Sequence, residues 1–174
     1  MQPVGLHITM RWIWIDRFLD FQPRKSARAS KSLSLAEDYF ADHFPGYPVM
    51  PGSLILEGLA QTGGILVGDA NDFREKVVLA KIPHARFHRD VMAGDELIYE
   101  VDLVHLRAEG ASVQGRVKVG DELVAEAEIF FAHLDQSRSQ QVFGEHNFVF
   151  TGELKRVLGL TRLPNPPPDG KAQV

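Results

Sequence analysis

The segment that most constrains the fold of this chain is a helix with apolar residues on almost every side. The apolar pattern predicts a helix from Ser53 to Val67. The positions that cover most of its circumference are Leu54, Ile55, Leu56, Leu59, Ala60, Ile65, Leu66 and Val67. A helix that is apolar all round is a buried helix, so the rest of the chain must wrap around this one.

The segments on both sides of this helix have the patterns of β-strands. Residues 11–21 are rich in β-branched and aromatic side chains, and residues 25–35 predict a weaker second strand. From Val77 onward apolar residues alternate with polar ones, and Gly120-Asp121 suits a two-residue hairpin turn. The order of elements predicts an α+β fold, in which a curved antiparallel β-sheet wraps around one long central helix.

We expect one folded domain followed by a C-terminal extension. The length of 174 residues fits a single domain with additions, and we assign the domain to residues 1–136. In the extension, residues 137–174, a short helix is predicted at 151–158, ended by Gly159. Residues 164–174 have the composition of a disordered segment. The extension indicates no function.

A polar stripe runs along the otherwise apolar helix. Ser53, Glu57 and Gln61 fall at positions i, i+4 and i+8, so they share one face. A carboxylate in such apolar surroundings is predicted to have a raised pKa, because a low dielectric disfavours the charged form. Since an unpaired buried carboxylate is costly, Glu57 is expected either to pair with an arginine or to be functional.

The loop before the helix contains a histidine and is conformationally restricted. Three prolines and two glycines fall within residues 45–52, and proline fixes φ while glycine permits close approach and positive φ. His43 is therefore expected to be held in a defined direction. The alternative is that His43, one of seven histidines in the chain, is an ordinary surface residue. A neutral imidazole and a carboxylic acid, held apart by the structure, have the groups needed to move two protons in one reaction.

Residues 43–61, which read HFPGYPVMPGSLILEGLAQ, resemble the signature of the (3R)-3-hydroxyacyl-acyl-carrier-protein dehydratases of the FabZ type. The resemblance extends over about residues 12–132 through the segments WIWIDR, ARFHR, AGDEL and ELVAEA. It implies the hot-dog fold and a cofactor-free lyase that converts (3R)-3-hydroxyacyl-ACP to trans-2-enoyl-ACP in fatty-acid synthesis. It also implies a homodimer, or a trimer of dimers, in which the histidine of one subunit meets the glutamate of its neighbour.

The resemblance assigns roles to individual residues. His43 is the base that removes the proton next to the thioester carbonyl, and Glu57 is the acid that protonates the departing hydroxyl or holds the water. Gly52 lies at the N-terminus of the predicted helix, where its N–H group and the helix dipole themselves favour an enolate-like oxygen. Gly46 and Val49 are expected to shape the same region, although the glycines also satisfy the geometry of the loop.

Three further positions within the signature carry expectations. Gln61 lies one turn beyond Glu57 and is expected either to orient its carboxylate or to act as an ordinary buried amide. Gly58 stands where the family often has alanine, and Tyr47 stands where it often has a polar or basic residue. Neither difference removes a reacting group, and Tyr47 is expected to alter the entrance of the acyl tunnel.

The charge of the chain gives no indication of nucleic-acid binding and leaves one basic cluster to interpret. The formal net charge is −4, so no bulk basic field is present. Arg86, His88 and Arg89 form a local basic cluster, and cations near the tunnel mouth would steer an acidic acyl carrier protein. The alternative is a solvated strand end.

No cofactor and no metal are expected. The chain has no cysteine, its histidines lack the spacing of metal ligands, and no glycine-rich phosphate loop follows a strand. No run approaches about 18 apolar residues, so no membrane span is expected, and the cytoplasm is the expected compartment. Two other functions stay open: a non-catalytic hot-dog module that binds acyl chains or carrier protein, and a hot-dog thioesterase.

Overall fold

The computed structural model describes residues 13–134. The helices and strands in this range are β1 (Arg17–Gln22), β2 (Ser26–Ser32), α1 (Tyr39–Asp42), α2 (Gly52–Asp69), β3 (Lys76–Phe87), β4 (Glu96–Arg107), β5 (Gly110–Val119) and β6 (Glu122–Leu134). Gly120 and Asp121 connect β5 to β6, as predicted. The predicted extension at 137–174, with its helix at 151–158, lies outside the described residues, and so does the boundary at 136.

The strands form one antiparallel sheet in the order β1-β2-β4-β5-β6-β3. After β2 the chain passes through α1 and α2, and it returns as β3 at the far edge of the sheet, beside β6. The long helix α2 packs against β2, β3, β4, β5 and β6. The predicted architecture, an antiparallel sheet wrapped around one central helix, is therefore confirmed, and this arrangement is the hot-dog fold.

Alternate residues of the central strands build the core against α2. The buried strand residues on this face include Leu97, Tyr99, Val101, Val113, Val117, Ala125, Ala127 and Ile129. On the helix, the most buried side chains are Ile55, Leu59, Ile65, Leu66 and Val67. Each fully buried aliphatic side chain contributes about 1.5–3 kcal/mol to stability. Because the apolar residues recur at every second position of a strand, they all face α2, and their burial holds the helix across the sheet.

The first turns of α2 are less buried than the sequence predicts. Ser53 is exposed, and Leu54, Leu56 and Glu57 are half-buried. From residue 58 to residue 68 every position except Gln61 is buried. The prediction of a helix covered on every side is thus right for its second half and wrong for its beginning, because the sheet covers one side and the described residues leave the other side partly open.

Candidate active site

The loop that contains the histidine is closed by its own backbone hydrogen bonds. Phe44 and Tyr47 exchange two such bonds, of 3.0 and 2.9 Å, around a turn in which Gly46 has a φ of +81°. This left-handed conformation favours glycine. The N–H of Val49 then donates to the carbonyl of His43 at 2.9 Å. Residues 43–49 therefore form a closed loop of defined shape, with His43 at its beginning.

The imidazole of His43 is oriented by the backbone of Val49. Its Nδ1 lies 3.1 Å from the carbonyl oxygen of Val49. A carbonyl oxygen only accepts hydrogen bonds, so in the neutral ring Nδ1 carries the proton and Nε2 keeps its lone pair. The ring also stacks on Phe44, with a centroid separation of 4.1 Å. His43 is therefore held in the tautomer that presents Nε2 as a base.

The carboxylate of Glu57 is oriented by Gln61 and by the backbone of Trp14. The Nε2 of Gln61 donates to Glu57 Oε1 at 3.0 Å, and the Oε1 of Gln61 accepts the N–H of Trp14 at 2.8 Å. Because the Trp14 N–H is a donor, the amide atom that faces it is the oxygen, and the amide NH₂ therefore points at Glu57. The structure thus contains the hydrogen bond that an orienting role of Gln61 requires, and the role itself stays a prediction.

Glu57 is half-buried in the described chain. The prediction of an enclosed low-dielectric pocket came from its apolar neighbours along the helix, and it is wrong for the described chain, whose residues leave this side of α2 partly open. Among residues 13–134 Glu57 makes no ion pair, so the alternative of a structural glutamate paired with an arginine finds no support in this range.

The start of α2 has the properties expected of an anion-binding helix terminus. The helix begins at Gly52, with Pro51 as its N-cap, and its first turn contains no acidic side chain. The N–H groups of a first helical turn have no acceptor within the helix, and the dipole is positive at this end. A Cβ at position 52 would lie 2.9 Å from the ring of Phe87, so glycine at this position also permits close packing.

The described chain does not join His43 to Glu57. Their hydrogen bonds go to Val49 and to Gln61 respectively, and within residues 13–134 no hydrogen bond or ion pair connects the two. A cleft of about 590 Å³ opens between α1 and the start of α2, and its lining residues are Trp14, Glu37, Asp38, Tyr39, Pro51, Ser53 and Leu54. Neither His43 nor Glu57 lines this cleft.

The two arginines that are expected to contact a carrier protein differ in their surroundings. Arg86 is exposed near the end of β3, where its register partner on β6 is Glu126. Arg89 is bound to two carboxylates, that of Asp95 at 3.0 Å and that of Glu122 at 2.8 Å. The charge of Arg89 is therefore neutralised by its own chain, whereas Arg86 is directed to the surface.

The described range has neither a membrane-spanning helix nor a metal-binding cluster. Between residues 13 and 134 no helix is long and apolar enough to cross a membrane. The same residues contain no group of three or more histidine, aspartate or glutamate side chains placed to hold a metal ion.

Comparison with known sequences gives the family. The family model described as a FabA-like domain matches residues 9–128. The 3-hydroxyacyl-[acyl-carrier-protein] dehydratase FabZ of Pelotomaculum thermopropionicum is 44% identical over 122 residues, which are 70% of this chain and 87% of the relative. The FabZ of Symbiobacterium thermophilum is 43% identical over 125 residues, 71% of this chain and 88% of the relative. The chain therefore belongs to the FabZ family of 3-hydroxyacyl-[acyl-carrier-protein] dehydratases, as the resemblance of residues 43–61 implies.

Solved structures agree on the fold. The dehydratase heterocomplex ApeI:P from Xenorhabdus doucetiae matches with a TM-score of 0.63 and 12% identity, over 77% of this chain and 91% of that chain. The protein smu.793 from Streptococcus mutans, solved bound to acetyl CoA, matches with a TM-score of 0.59 and 14% identity, over 75% of this chain and 97% of that chain. At these identities the similarity concerns the fold alone.

Proposed function

We propose that this protein dehydrates (3R)-3-hydroxyacyl-ACP to trans-2-enoyl-ACP in fatty-acid synthesis. The observation that carries the proposal is the match to FabZ relatives at 44% identity over 122 residues, in a chain whose His43 and Glu57 each have an orienting hydrogen bond. No cofactor is part of the proposed reaction. We place the reaction in the cytoplasm, where the sequence predicts the protein to be.

In the proposed mechanism the residues act in the following order. The Nε2 of His43 takes the proton from C2 of the acyl chain, and negative charge develops on the thioester oxygen beside the N–H of Gly52. The electron pair then forms the C2–C3 double bond and expels the C3 hydroxyl, which takes a proton from Glu57 and leaves as water. Return of the proton from the imidazolium to Glu57 completes the cycle.

The proposed site is completed by a second copy of the chain. His43 and Glu57 have no direct contact within one subunit, and the turn of α2 that contains Glu57 is half-buried. In a homodimer the His43 loop of one subunit would approach Glu57 of the other and would cover this part of the helix. A trimer of such dimers is the higher assembly that we consider.

The proposed partner is an acyl carrier protein, which is acidic. Arg86 is exposed on β3, and we propose that it steers the carrier toward the site. Tyr47, which is 51% exposed on the His43 loop, is proposed to line the entrance for the acyl chain.

The proposal is tested by following enoyl absorbance and free thiol release with (3R)-3-hydroxyacyl-ACP of several chain lengths. His43→Ala and Glu57→Gln are each expected to lower turnover by roughly 10²–10⁴-fold, because each variant removes an acid or a base. His105→Ala and Glu96→Gln, which change exposed residues of β4, serve as matched controls. Thiol release without enoyl formation would make the protein a thioesterase, and binding without turnover would make it a non-catalytic module.

A further inference from the structure

The turn between β3 and β4 is tied both to the sheet and to the His43 loop. We propose that Arg89 positions His43 by fixing this turn. In this proposal Arg89 is not a contact for the carrier protein. The proposal rests on the proposed role of His43 as the base.

Arg89 closes the turn on itself. One nitrogen, Nη1, donates to the backbone carbonyl of Asp90 at 2.6 Å and to the carboxylate of Asp95 at 3.0 Å, while Nε donates to Glu122 on β6 at 2.8 Å. The same oxygen of Asp95 accepts the N–H of Met92 at 3.0 Å. Four hydrogen bonds thus join one guanidinium and one carboxylate to the turn and to the start of β6.

The Arg89–Asp95 pair is partly shielded from solvent. The two side chains are 30% and 23% exposed, so solvent screens them only in part. The hydrogen bond with Asp95 raises the pKa of Arg89, although burial opposes this. Burial alone would raise the pKa of Asp95, but the hydrogen bonds from Arg89 and from the Met92 N–H hold that pKa below its ordinary value. Both groups are therefore stabilised in their charged forms.

The β3–β4 turn holds the His43 loop at two points. The buried backbone of Val91 accepts the N–H of Met50 at 2.7 Å, and the carboxylate of Asp90 accepts the hydroxyl of Tyr47 at 3.1 Å. Met50 directly follows Val49, whose carbonyl orients the imidazole of His43. A displacement of residues 90–91 would therefore move the group that selects the tautomer of the base.

The charges around Arg89 do not suit an acidic partner. Arg89, Asp95 and Glu122 carry one positive and two negative charges, so the cluster has a net negative charge. Steering of an acidic protein requires a positive potential. Arg86, which is exposed three residues earlier, is the residue that retains the docking role in our account.

The test compares two forms of the same acyl thioester, one carried by ACP and one by N-acetylcysteamine, which lacks the carrier protein. Arg89→Ala is expected to lower kcat by about 10- to 100-fold with both substrates, because a shift of about 1 Å at a reacting group has effects of this size. The KM for acyl-ACP is expected to stay within about twofold of the wild-type value. Arg17→Ala, which removes an exposed arginine of β1, is the matched control.

A second readout does not depend on activity. In the nitrogen NMR spectrum of the histidine side chains, wild-type His43 is expected to show a protected Nδ1–H, and this signal is expected to weaken in Arg89→Ala. Tyr47→Phe removes only the exposed hydrogen bond to Asp90, and it is expected to give the same changes in smaller size. This variant provides the test if Arg89→Ala does not fold. The NMR result also decides the matter if the wild type has no dehydratase activity.

Two results would overturn the proposal. A loss confined to acyl-ACP, seen as a raised KM with unchanged turnover of the small thioester, would return Arg89 to the docking surface. A lowered melting temperature with unchanged kcat and an unchanged His43 signal would reduce Arg89 to a structural residue.

Discussion

At the scale of single residues, an unpaired tyrosine hydroxyl lies next to the helix that contains Glu57. Tyr99 of β4 is fully buried, and its hydroxyl has no hydrogen-bond partner among the described residues. Burial raises the pKa of Tyr99 far above its ordinary value, so the group stays neutral. Burial also raises the pKa of Tyr39, whose buried hydroxyl likewise has no partner in this range. A buried polar group without a partner costs roughly 1–3 kcal/mol.

We therefore predict that Tyr99→Phe leaves the free energy of unfolding unchanged or raises it by about 1 kcal/mol. The substitution keeps the packing of the ring and removes only the unpaired hydroxyl. Urea denaturation measures the change, and Tyr99→Leu, which loses the ring, is expected to cost about 2 kcal/mol or more. A marked loss of stability in Tyr99→Phe would mean that the hydroxyl has a hydrogen-bonded partner after all.

At the scale of the element, the distance between α2 and the sheet depends on positions without a side chain. A Cβ at position 58 would lie 2.3 Å from Cζ of Tyr99, and one at position 115 would lie 2.8 Å from a methyl group of Leu59. Gly58 stands where the family often has alanine. The volume that such a methyl group would need is occupied in this chain by the ring of Tyr99, so the two residues form a matched pair.

We predict that Gly58→Ala destabilises the fold by about 1–3 kcal/mol, because overpacking outweighs the gain in helix propensity of about 1 kcal/mol. The cost is expected to shrink when Tyr99 is replaced by leucine, so a double-mutant cycle by thermal or urea unfolding will show coupling between the two positions. Ser53→Ala, at an exposed position of the same helix, is the control. Additive effects of the two substitutions would disprove the matched pair.

At the scale of the whole molecule, residues 13–134 leave one side of the fold without a cover. The edge strand β3 is exposed over most of its length, including Leu79 and Phe87, which are 48% and 45% exposed. A long exposed edge strand invites pairing with another chain. The half-buried start of α2 presents a second surface that the described residues leave partly open. Both features agree with the proposed dimer, in which a two-fold axis would place the same surfaces of the two subunits in one interface.

Much of this architecture follows from the sequence. Alternation of apolar residues predicts the faces of β4, β5 and β6, and Gly120-Asp121 predicts the turn between the last two. The place of β3 beside β6 does not follow, because alternation shows which residues face inward and not which strands pair. The partial exposure of Glu57 does not follow from the sequence either. An apolar helix must be covered, but its sequence does not say by which chain.

The proposed site is predictable only as far as side chains define it. His43, Glu57 and Gln61 follow from the signature, whereas the carbonyl of Val49 and the N–H of Trp14 are backbone groups whose roles do not depend on residue type. The ion pairs of Arg89 are equally hard to predict from the sequence. A sequence displays the cation, but its partner Glu122 lies 33 residues away and becomes visible only in the fold.

The most direct test of the account is to mix subunits of His43→Ala with subunits of Glu57→Gln and to follow enoyl formation from (3R)-3-hydroxyacyl-ACP. Each variant alone is expected to be nearly inactive. In a mixed dimer one of the two sites receives an intact His43 from one chain and an intact Glu57 from the other. Random reassociation is therefore expected to restore roughly a quarter of the wild-type activity. A mixture that stays as inactive as its components, with mixed dimers demonstrated by mass, would contradict a site shared between subunits.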